Sequence, residues 1–271
     1  MYITRVKSGD TYKYKCKKED LERIKKLRIP PNWTDVKVDS NACAKIQATG
    51  IDSKGRKQYI YHSKWVEKSK KNKALKIKTL NHEKYTRVIK NYISKKDLSR
   101  DCVIANVIKL MDDLNIRVGN ESYKKENGTY GITTLMKQHL NGNKLTFKGK
   151  KGIEHTKVIE NPESLSFIKR VKPMKGPYLF YDSTGNTISS KDLNNFLKEK
   201  IQTNITCKDI RTYNANKIFL RFMNHLQKGV TEKERNKNII KGIDHTAEKL
   251  GNTRKICKDS YIFAENINKF K

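Results

Sequence analysis

The sequence predicts an α+β protein with a small β-rich domain at residues 1–70 and a mainly helical domain at residues 71–271 that contains a small embedded antiparallel sheet. Two observations lead to this prediction. Short segments rich in β-branched and aromatic residues occupy the first 65 positions. Apolar residues recur at three- and four-residue spacing further along the chain. A run of lysine, serine and asparagine at about 68–73 is the predicted linker.

The N-terminal domain is predicted to hold five short strands and one helix. Strands at 2–6 and 12–16 flank a Ser-Gly-Asp turn, and further strands follow at 37–40, 45–51 and 57–63. The helix at 18–29 should end before Pro30 and Pro31, because a proline disfavours helical geometry in the residue before it.

Three helices and three strands are predicted in the second domain. An apolar stripe from Val103 to Leu114 indicates a helix that ends near Asn115. Further helices are predicted at 214–227 and at 231–250, the latter closed by Gly251. Segments 144–150, 152–159 and 178–181 have the composition of strands, and glycines 149 and 152 suit a hairpin turn between the first two.

The charge of the chain points to a polyanionic partner. Lysine and arginine number 60 against 28 acidic residues, a formal net charge of +32. This charge is spread along the whole chain, with aromatic residues among the basic ones, so the folded body is expected to bind nucleic acid. An RNA-binding module is also compatible with this composition.

The sequence predicts no metal site and no membrane segment. Five cysteines are widely separated, without metal-ligand spacing. No apolar run is long enough to span a bilayer, and residues 1–10 lack the apolar core of a signal peptide. We therefore expect an intracellular protein, in the cytoplasm or nucleoid, or one packaged in a virion if the source is viral.

Three residues are candidates for chemistry, although each has an ordinary structural alternative. Tyr261 is one of thirteen tyrosines, and it is predicted to lie on a helix that begins after Thr253, a plausible N-cap. Arg117 and Arg211 come after predicted helix or turn boundaries, where an arginine can simply cap a helix.

Six segments of the chain together resemble the small type IB DNA topoisomerases of poxviruses, giant viruses and some bacteria, whose catalytic domain is also found in tyrosine recombinases. The segments occur in that family's order and cover nearly the full chain. They are IPPNWTDV, DSKGRKQYIY, RVGNESYKKENGTYGITTL, TFKGKKG, KDIRTY and HTAEKLGNT followed by SY.

The resemblance implies a catalytic set and no metal or cofactor. It makes Tyr261 the nucleophile that forms a 3′-phosphotyrosyl link, and Arg117 and Arg211 the groups that bind charge on the phosphate. Lys150 is implied as the general acid, a role that a lysine performs when its surroundings lower its pKa. Lys148 and Lys151 lie on the same hairpin, so this assignment depends on the match of FKGK.

Asn252 departs from the poxvirus pattern, which has histidine at this position. An asparagine amide can still donate a hydrogen bond to a phosphate oxygen, but it cannot titrate. Some bacterial members of the family carry asparagine there. His245 lies two helical turns earlier and is interpreted as a packing or surface residue.

The resemblance also implies double-stranded DNA as the partner and a monomer that closes around it as a clamp. The implied DNA-contacting residues include Tyr123, whereas Asn120 and Ser122 stand where poxvirus enzymes have lysines. Strand alternation would place Tyr59 and Tyr61 on one face and Gln58 on the other. The full set of implied DNA-contacting residues is Arg56, Lys57, Gln58, Tyr59, Tyr61 and Tyr123.

The resemblance implies an enzyme that relaxes positive and negative supercoils by cleaving, rotating and religating one DNA strand, without ATP or metal. Two alternative functions differ from this one. A tyrosine recombinase shares the catalytic roles, but its second arginine usually lies in an H-x-x-R motif, and Lys208 occupies the histidine position here. A noncatalytic DNA-binding protein would bind without cleavage. The sequence contains no glycine-rich phosphate loop and no cluster of acidic metal ligands, which disfavours ATP-driven and magnesium-dependent enzymes.

Overall fold

The computed structural model describes residues 2–8 and 11–271. The chain divides into two compact units, Met1–Leu75 and Lys76–Lys271. Strands and helices occur in both units, so the predicted α+β class is confirmed. The assignment of a DNA-clamp role to the first unit and of catalysis to the second stays a prediction.

The N-terminal unit contains a five-stranded antiparallel sheet of order β2-β1-β3-β4-β5. Helix α1 (Lys18–Leu27) ends at Arg28, whose backbone is left-handed, just ahead of the two prolines. Gly9 and Asp10 of the predicted turn lie outside the described residues. The strands are β1 (Tyr2–Ser8), β2 (Thr11–Tyr14), β3 (Thr34–Asp39), β4 (Ile46–Ile51) and β5 (Lys57–Tyr61).

One face of this sheet packs against helix α1. Ile24 of α1 joins Ile3, Val36, Val38 and Ala48 in a buried apolar cluster. The alternation of side chains along each strand places this apolar set on the α1 side. Alternate residues therefore lie on the other face, which includes the tyrosine pair of β5.

The predicted linker is wrong, because residues 68–73 lie inside a continuous helix. Helix α2 spans Ser63–Lys78 and passes through the division between the two units. The stretch contains no glycine or proline, and lysine is a good helix former, so a lysine-rich composition did not break the helix.

The C-terminal unit is built mainly from helices around α4, with a three-stranded antiparallel sheet of order β6-β7-β8. Residues 102–108 of α4 are buried without interruption, so this helix is enclosed on more sides than the predicted single stripe requires. The helices are α3 (His82–Ser94), α4 (Arg100–Asp113), α5 (Glu121–Asn127), α6 (Pro162–Val171), α7 (Ser190–Glu199), α8 (Cys207–His225), α9 (Glu232–Leu250), α10 (Arg254–Ser260) and α11 (Ala264–Asn268). The strands are β6 (Leu140–Asn141), β7 (Lys144–Lys148) and β8 (Glu154–Val158).

Helix α8 begins seven residues earlier than predicted. Thr206 and Asp209 form a reciprocal capping box at its start, with the Thr206 hydroxyl 2.8 Å from the Asp209 carboxylate. Arg211 therefore lies within the first turns of the helix and not at a boundary before it. By contrast, α9 starts after Thr231 and ends at left-handed Gly251, as predicted.

The predicted strand at 178–181 is also wrong. Its backbone forms only isolated bridges, from Tyr178 to Met136 and from Tyr181 to Thr187. Leu179 and Phe180 are buried, which explains their apolar character without a ladder of hydrogen bonds. In the described part of the chain, no helix has both the length and the apolar character needed to cross a membrane.

Candidate active site

Arg117 lies on a turn that leaves the end of α4 and is held by a neighbouring glycine segment. Asn115 adopts a left-handed conformation, and the carbonyl of Arg117 then accepts a hydrogen bond from the Ile132 amide at 2.7 Å. A methyl group on Gly131 would lie 2.6 Å from that carbonyl oxygen. Only glycine allows the two segments to approach this closely, so Gly131 helps to fix the backbone of Arg117.

Arg211 reaches from α8 to the ends of two other helices. Its side chain is almost fully buried, at 5% exposure. The guanidinium donates to the carbonyl of Asn115 after α4 and to the carbonyl of Leu250 at the end of α9. Because these are the negative ends of helices, they stabilise the buried positive charge. Within residues 2–8 and 11–271, the Nε of Arg211 has no hydrogen-bond partner.

Asn252 follows the cap of α9 and contacts Arg117 directly. Its Oδ1 accepts a hydrogen bond from Nη2 of Arg117 at 2.6 Å, and its backbone amide donates to Ala247 at 2.9 Å. The Nδ2 of Asn252 is buried and has no hydrogen-bond partner among the described residues. A buried amide donor without a partner is costly, which indicates that a ligand oxygen can bind here.

The sequence predicts that Tyr261 lies on the helix that follows Thr253, but it lies at the C-cap of that helix, α10, one residue beyond its last turn. Helix α10 begins with the predicted N-cap, Thr253, whose side chain accepts from the Ile256 amide. The Cζ of Arg211 lies 5.5 Å from the centre of the Tyr261 ring. This position brings the phenol next to the two arginines.

The electrostatic surroundings of Tyr261 favour its ionised form. Burial alone would raise the pKa of its phenol, but the charges of Arg211 and Arg117 and hydrogen bonds with both outweigh this effect and lower it. Burial and the charge of Arg117 also lower the pKa of Arg211, to about 10. The site is therefore a concentration of positive charge around a phenol.

Asn216 is a site residue that the sequence reasoning missed. Its Nδ2 donates to the carbonyl of Tyr261 at 2.8 Å, and its Oδ1 accepts from the Phe263 amide at 2.9 Å and from Asn266 at 2.8 Å. Asn216 therefore holds the backbone on both sides of the tyrosine. The detectable signal was a polar residue at helical spacing from Thr212 and Phe219 on the buried side of α8.

Lys150 lies at the tip of the β7–β8 hairpin, where it is exposed. It lines a cleft together with Arg117, Arg211 and His155, and within the described chain neither Lys148 nor Lys151 contributes to that lining. The structure thus brings all five predicted catalytic residues to one region, with four of them linked by direct contacts and Lys150 at the cleft.

Two further basic residues, both on β8, line the same cleft. Burial, followed by the charge of Arg117, lowers the pKa of His155 to about 4, so its imidazole is neutral at pH 7. Burial and the charge of Arg211 also lower the pKa of Lys157. His245 lies elsewhere, stacked on Phe222 with ring centres 4.4 Å apart, which is a packing role.

The predicted DNA-contacting residues of the N-terminal unit lie on and beside β5. Tyr59 and Tyr61 are exposed by 44% and 40% and stack with ring centres 6.2 Å apart. The predicted alternation holds, because Gln58 points away and donates to Asp52 at 2.8 Å. Arg56 also binds Asp52, while the Lys57 ammonium lies 5.7 Å from the Tyr59 ring.

Tyr123, in the C-terminal unit, is 56% exposed on the short helix α5. Asn120 caps this helix by accepting a hydrogen bond from the Ser122 amide. The helix is also held through Tyr178, whose hydroxyl accepts from Lys124 at 2.6 Å and donates to Glu121 at 3.0 Å. Asn120 and Ser122 thus have a structural role where poxvirus enzymes carry lysines.

Comparisons with known proteins show the family of the chain. The family model for the catalytic core of eukaryotic DNA topoisomerase I matches residues 61–271, and the model for the N-terminal domain of bacterial DNA topoisomerase IB matches residues 9–52. The chain belongs to the type IB DNA topoisomerases. It is therefore an enzyme of the topoisomerase class, and the family resemblance seen in its motifs is confirmed.

Viral proteins are among its relatives. DNA topoisomerase 1B of Acanthamoeba polyphaga mimivirus is 34% identical over 286 residues, covering 96% of this chain and 84% of the relative. DNA topoisomerase 1B of vaccinia virus (strain Copenhagen) is 29% identical over 255 residues, covering 89% and 79%. DNA topoisomerase 1 of rabbit fibroma virus is 29% identical over 262 residues, covering 91% and 80%.

No group of three or more histidine, cysteine, aspartate or glutamate side chains that could hold a metal ion occurs in the described part of the chain.

Proposed function

We propose that this enzyme relaxes positive and negative supercoils by nicking and resealing one strand of duplex DNA, without ATP or metal. The observation that supports this proposal best is the convergence of Arg117, Arg211 and Asn252 around Tyr261. These groups come from separate elements, and Nε of Arg211 and Nδ2 of Asn252 have no hydrogen-bond partner among the described residues beside a phenol of lowered pKa.

In the cleavage step, the phenolic oxygen of Tyr261 attacks a phosphorus of the DNA backbone. The O–P bond to tyrosine forms while the bond from phosphorus to the 5′ oxygen breaks, and the phenol proton passes to solvent. The lowered pKa of Tyr261 makes this proton easier to lose. The products are a 3′-phosphotyrosyl link and a strand that ends in a 5′-hydroxyl.

The negative charge that develops on the phosphate needs donors that are already in place. Arg117 and Arg211 supply guanidinium groups, and the buried Nδ2 of Asn252 supplies a neutral donor. Preorganised donors of this kind are each typically worth on the order of a hundredfold in rate or more. The phosphate would also accept hydrogen bonds from Nε of Arg211 and Nδ2 of Asn252, which have no partner within residues 2–8 and 11–271.

The departing 5′ oxygen receives a proton from the ammonium of Lys150, which becomes a neutral amine. Lys150 is the hairpin lysine that lines the cleft with both arginines. Religation reverses each transfer, as the 5′-hydroxyl attacks the phosphotyrosine and returns its proton. Because the phosphotyrosine conserves the energy of the broken bond, no ATP is consumed while the nicked strand rotates about its partner.

Duplex DNA binding is proposed to use the basic surface and the exposed tyrosines. The net charge of +32 provides attraction that does not depend on base sequence. Tyr59, Tyr61 and Tyr123 provide exposed aromatic contacts on the two units, with Arg56, Lys57 and Gln58 beside the first two. We propose an intracellular monomer whose two units close on DNA as a clamp.

The test is relaxation of supercoiled plasmids in EDTA, without ATP, at low salt. Wild-type protein should relax both positively and negatively supercoiled plasmid, and it should form a covalent complex with DNA that is visible after denaturation. Tyr261→Phe should lose both activities, because it lacks the attacking oxygen, whereas the matched control Tyr92→Phe should retain them. Relaxation by Tyr261→Phe at the wild-type rate would contradict the proposal.

A further inference from the structure

The imidazole of His155 fills the space between two glycines that each precede a predicted catalytic residue. Gly149 comes before Lys150, and Gly251 comes before Asn252. A methyl group on Gly149 would lie 2.5 Å from Nε2 of the ring, and one on Gly251 would lie 2.7 Å from Nδ1. Only glycines leave room for the ring, which packs against both backbones.

His155 is held firmly on the hairpin side of this contact. It pairs directly with Phe147 across the β7–β8 ladder, and the two rings stack with centres 5.4 Å apart. Two residues further along the same face of β8, Lys157 donates to the carbonyl of Lys249 at 2.8 Å. The inner face of β8 thus packs against the last turn of α9 through the His155 ring and the Lys157 ammonium.

The other side of the contact is fixed by independent bonds. Arg211 binds the carbonyl of Leu250, and the Asn252 amide donates to Ala247. The Asn252 side chain is also held by Arg117. Loss of the His155 ring would therefore leave Asn252 in place, and the hairpin that carries Lys150 is the part that would shift.

A direct proton-transfer role does not fit the surroundings of His155. The ring is 8% exposed and faces Arg117, Arg211 and Lys157, and burial with these charges keeps it neutral at pH 7. A neutral imidazole has already lost its acidic proton, so it cannot act as the general acid at that pH. The role of the ring is therefore steric.

We propose that His155 is a positioning residue that sets the distance of the Lys150 hairpin from the phosphate site at Asn252. This inference rests on the proposed function, since it assumes that Lys150 protonates the leaving 5′ oxygen. Its distinctive consequence is that loss of the ring should impair protonation of the leaving group more than the attack by Tyr261. A displacement of about 1 Å is enough to cost on the order of a hundredfold in rate.

The experiment compares two single-turnover cleavage substrates that differ at one atom. A duplex with a cleavage site mapped using wild-type protein is prepared with either oxygen or sulfur at the bridging 5′ position. Sulfur leaves as a thiolate, since thiols have a pKa of about 8.5, and so it needs no proton from an acid. The variants are His155→Ala, His155→Phe, Lys150→Met and the exposed control His225→Ala.

We expect His155→Ala to cleave the oxygen substrate on the order of tenfold to a hundredfold more slowly than wild type, and the sulfur substrate at the wild-type rate. His155→Phe keeps a planar ring and should retain most of the rate on oxygen. His225→Ala should match wild type on both substrates. DNA affinity and thermal unfolding of each variant show whether it is folded, and His155→Leu replaces His155→Ala if the latter does not fold.

An equal loss on both substrates, or no loss on oxygen, would overturn the positioning role. The Lys150→Met variant separates this failure from that of the proposed function. If the sulfur substrate does not restore the cleavage rate of Lys150→Met, Lys150 is not the general acid, and both the proposed acid and the positioning role of His155 are wrong. If the sulfur substrate restores the cleavage rate of Lys150→Met but not that of His155→Ala, only the positioning role of His155 is wrong.

Discussion

The proposed catalytic cluster of the C-terminal unit and the tyrosine strand of the N-terminal unit hold their candidate functional residues in different ways. Arg211 is buried and binds two helix ends, and Asn252 is fixed by Arg117. Tyr59 and Tyr61 are exposed and contact mainly each other. Chemistry at phosphorus requires fixed donors, whereas contact with a duplex requires accessible side chains. Changes in the first region should therefore affect rate, and changes in the second should affect affinity.

The largest effect is expected at Asn252. Asn252→Ala removes the buried Nδ2 donor and the acceptor for Arg117, so the single-turnover cleavage rate should fall on the order of a hundredfold. The DNA affinity should change little when Asn252→Ala is added to Tyr261→Phe, a variant in which binding is measured without cleavage. Asn252→His, which keeps a ring N–H donor, is the matched control and should retain most of the rate. Equal rates for Asn252→Ala and wild type would show that the buried donor does not meet the phosphate.

An intermediate effect is expected on thermal stability, which should fall at acid pH because His155 is buried as a neutral ring. Its pKa is about 4 in the folded chain and 6.5 ordinarily, so between these values the unfolded chain binds more protons and stability falls as pH decreases. Wild type should therefore lose more thermal stability between pH 7 and pH 5 than His155→Phe, which cannot titrate. The exposed control His225→Phe should follow wild type. An identical loss in all three would mean that His155 is not buried as a neutral ring.

The smallest effects are expected on β5. Tyr59→Ala should weaken DNA binding by about fivefold to tenfold, the equivalent of about 1 kcal/mol for an aromatic contact, and leave the salt dependence unchanged. Lys57→Ala should reduce the slope of log affinity against log salt by about 1, because it removes one phosphate contact. Neither should alter the cleavage rate at saturating protein. A rate defect in Tyr59→Ala would break the division between the two regions.

Specific local signals led to correct predictions of secondary structure, whereas composition alone led to wrong ones. The end of α9 at Gly251 and the hairpin around Gly149 depend on neighbouring residues, and both predictions are confirmed. The linker at 68–73 and the strand at 178–181 were inferred from composition. They are wrong because lysine favours helix and because buried apolar residues do not require a strand ladder.

Alone, the sequence determined the α+β class, the basic charge and, through its ordered motifs, the identity of Tyr261, Arg117, Arg211, Lys150 and Asn252 as candidates. Only the tertiary structure decided how they are held. The bonds from Asn216 to the tyrosine backbone and the contact of the His155 ring with Gly251 join residues that are far apart in sequence. Such contacts arise from close packing of separate elements, and no local pattern encodes which buried polar group will meet which backbone.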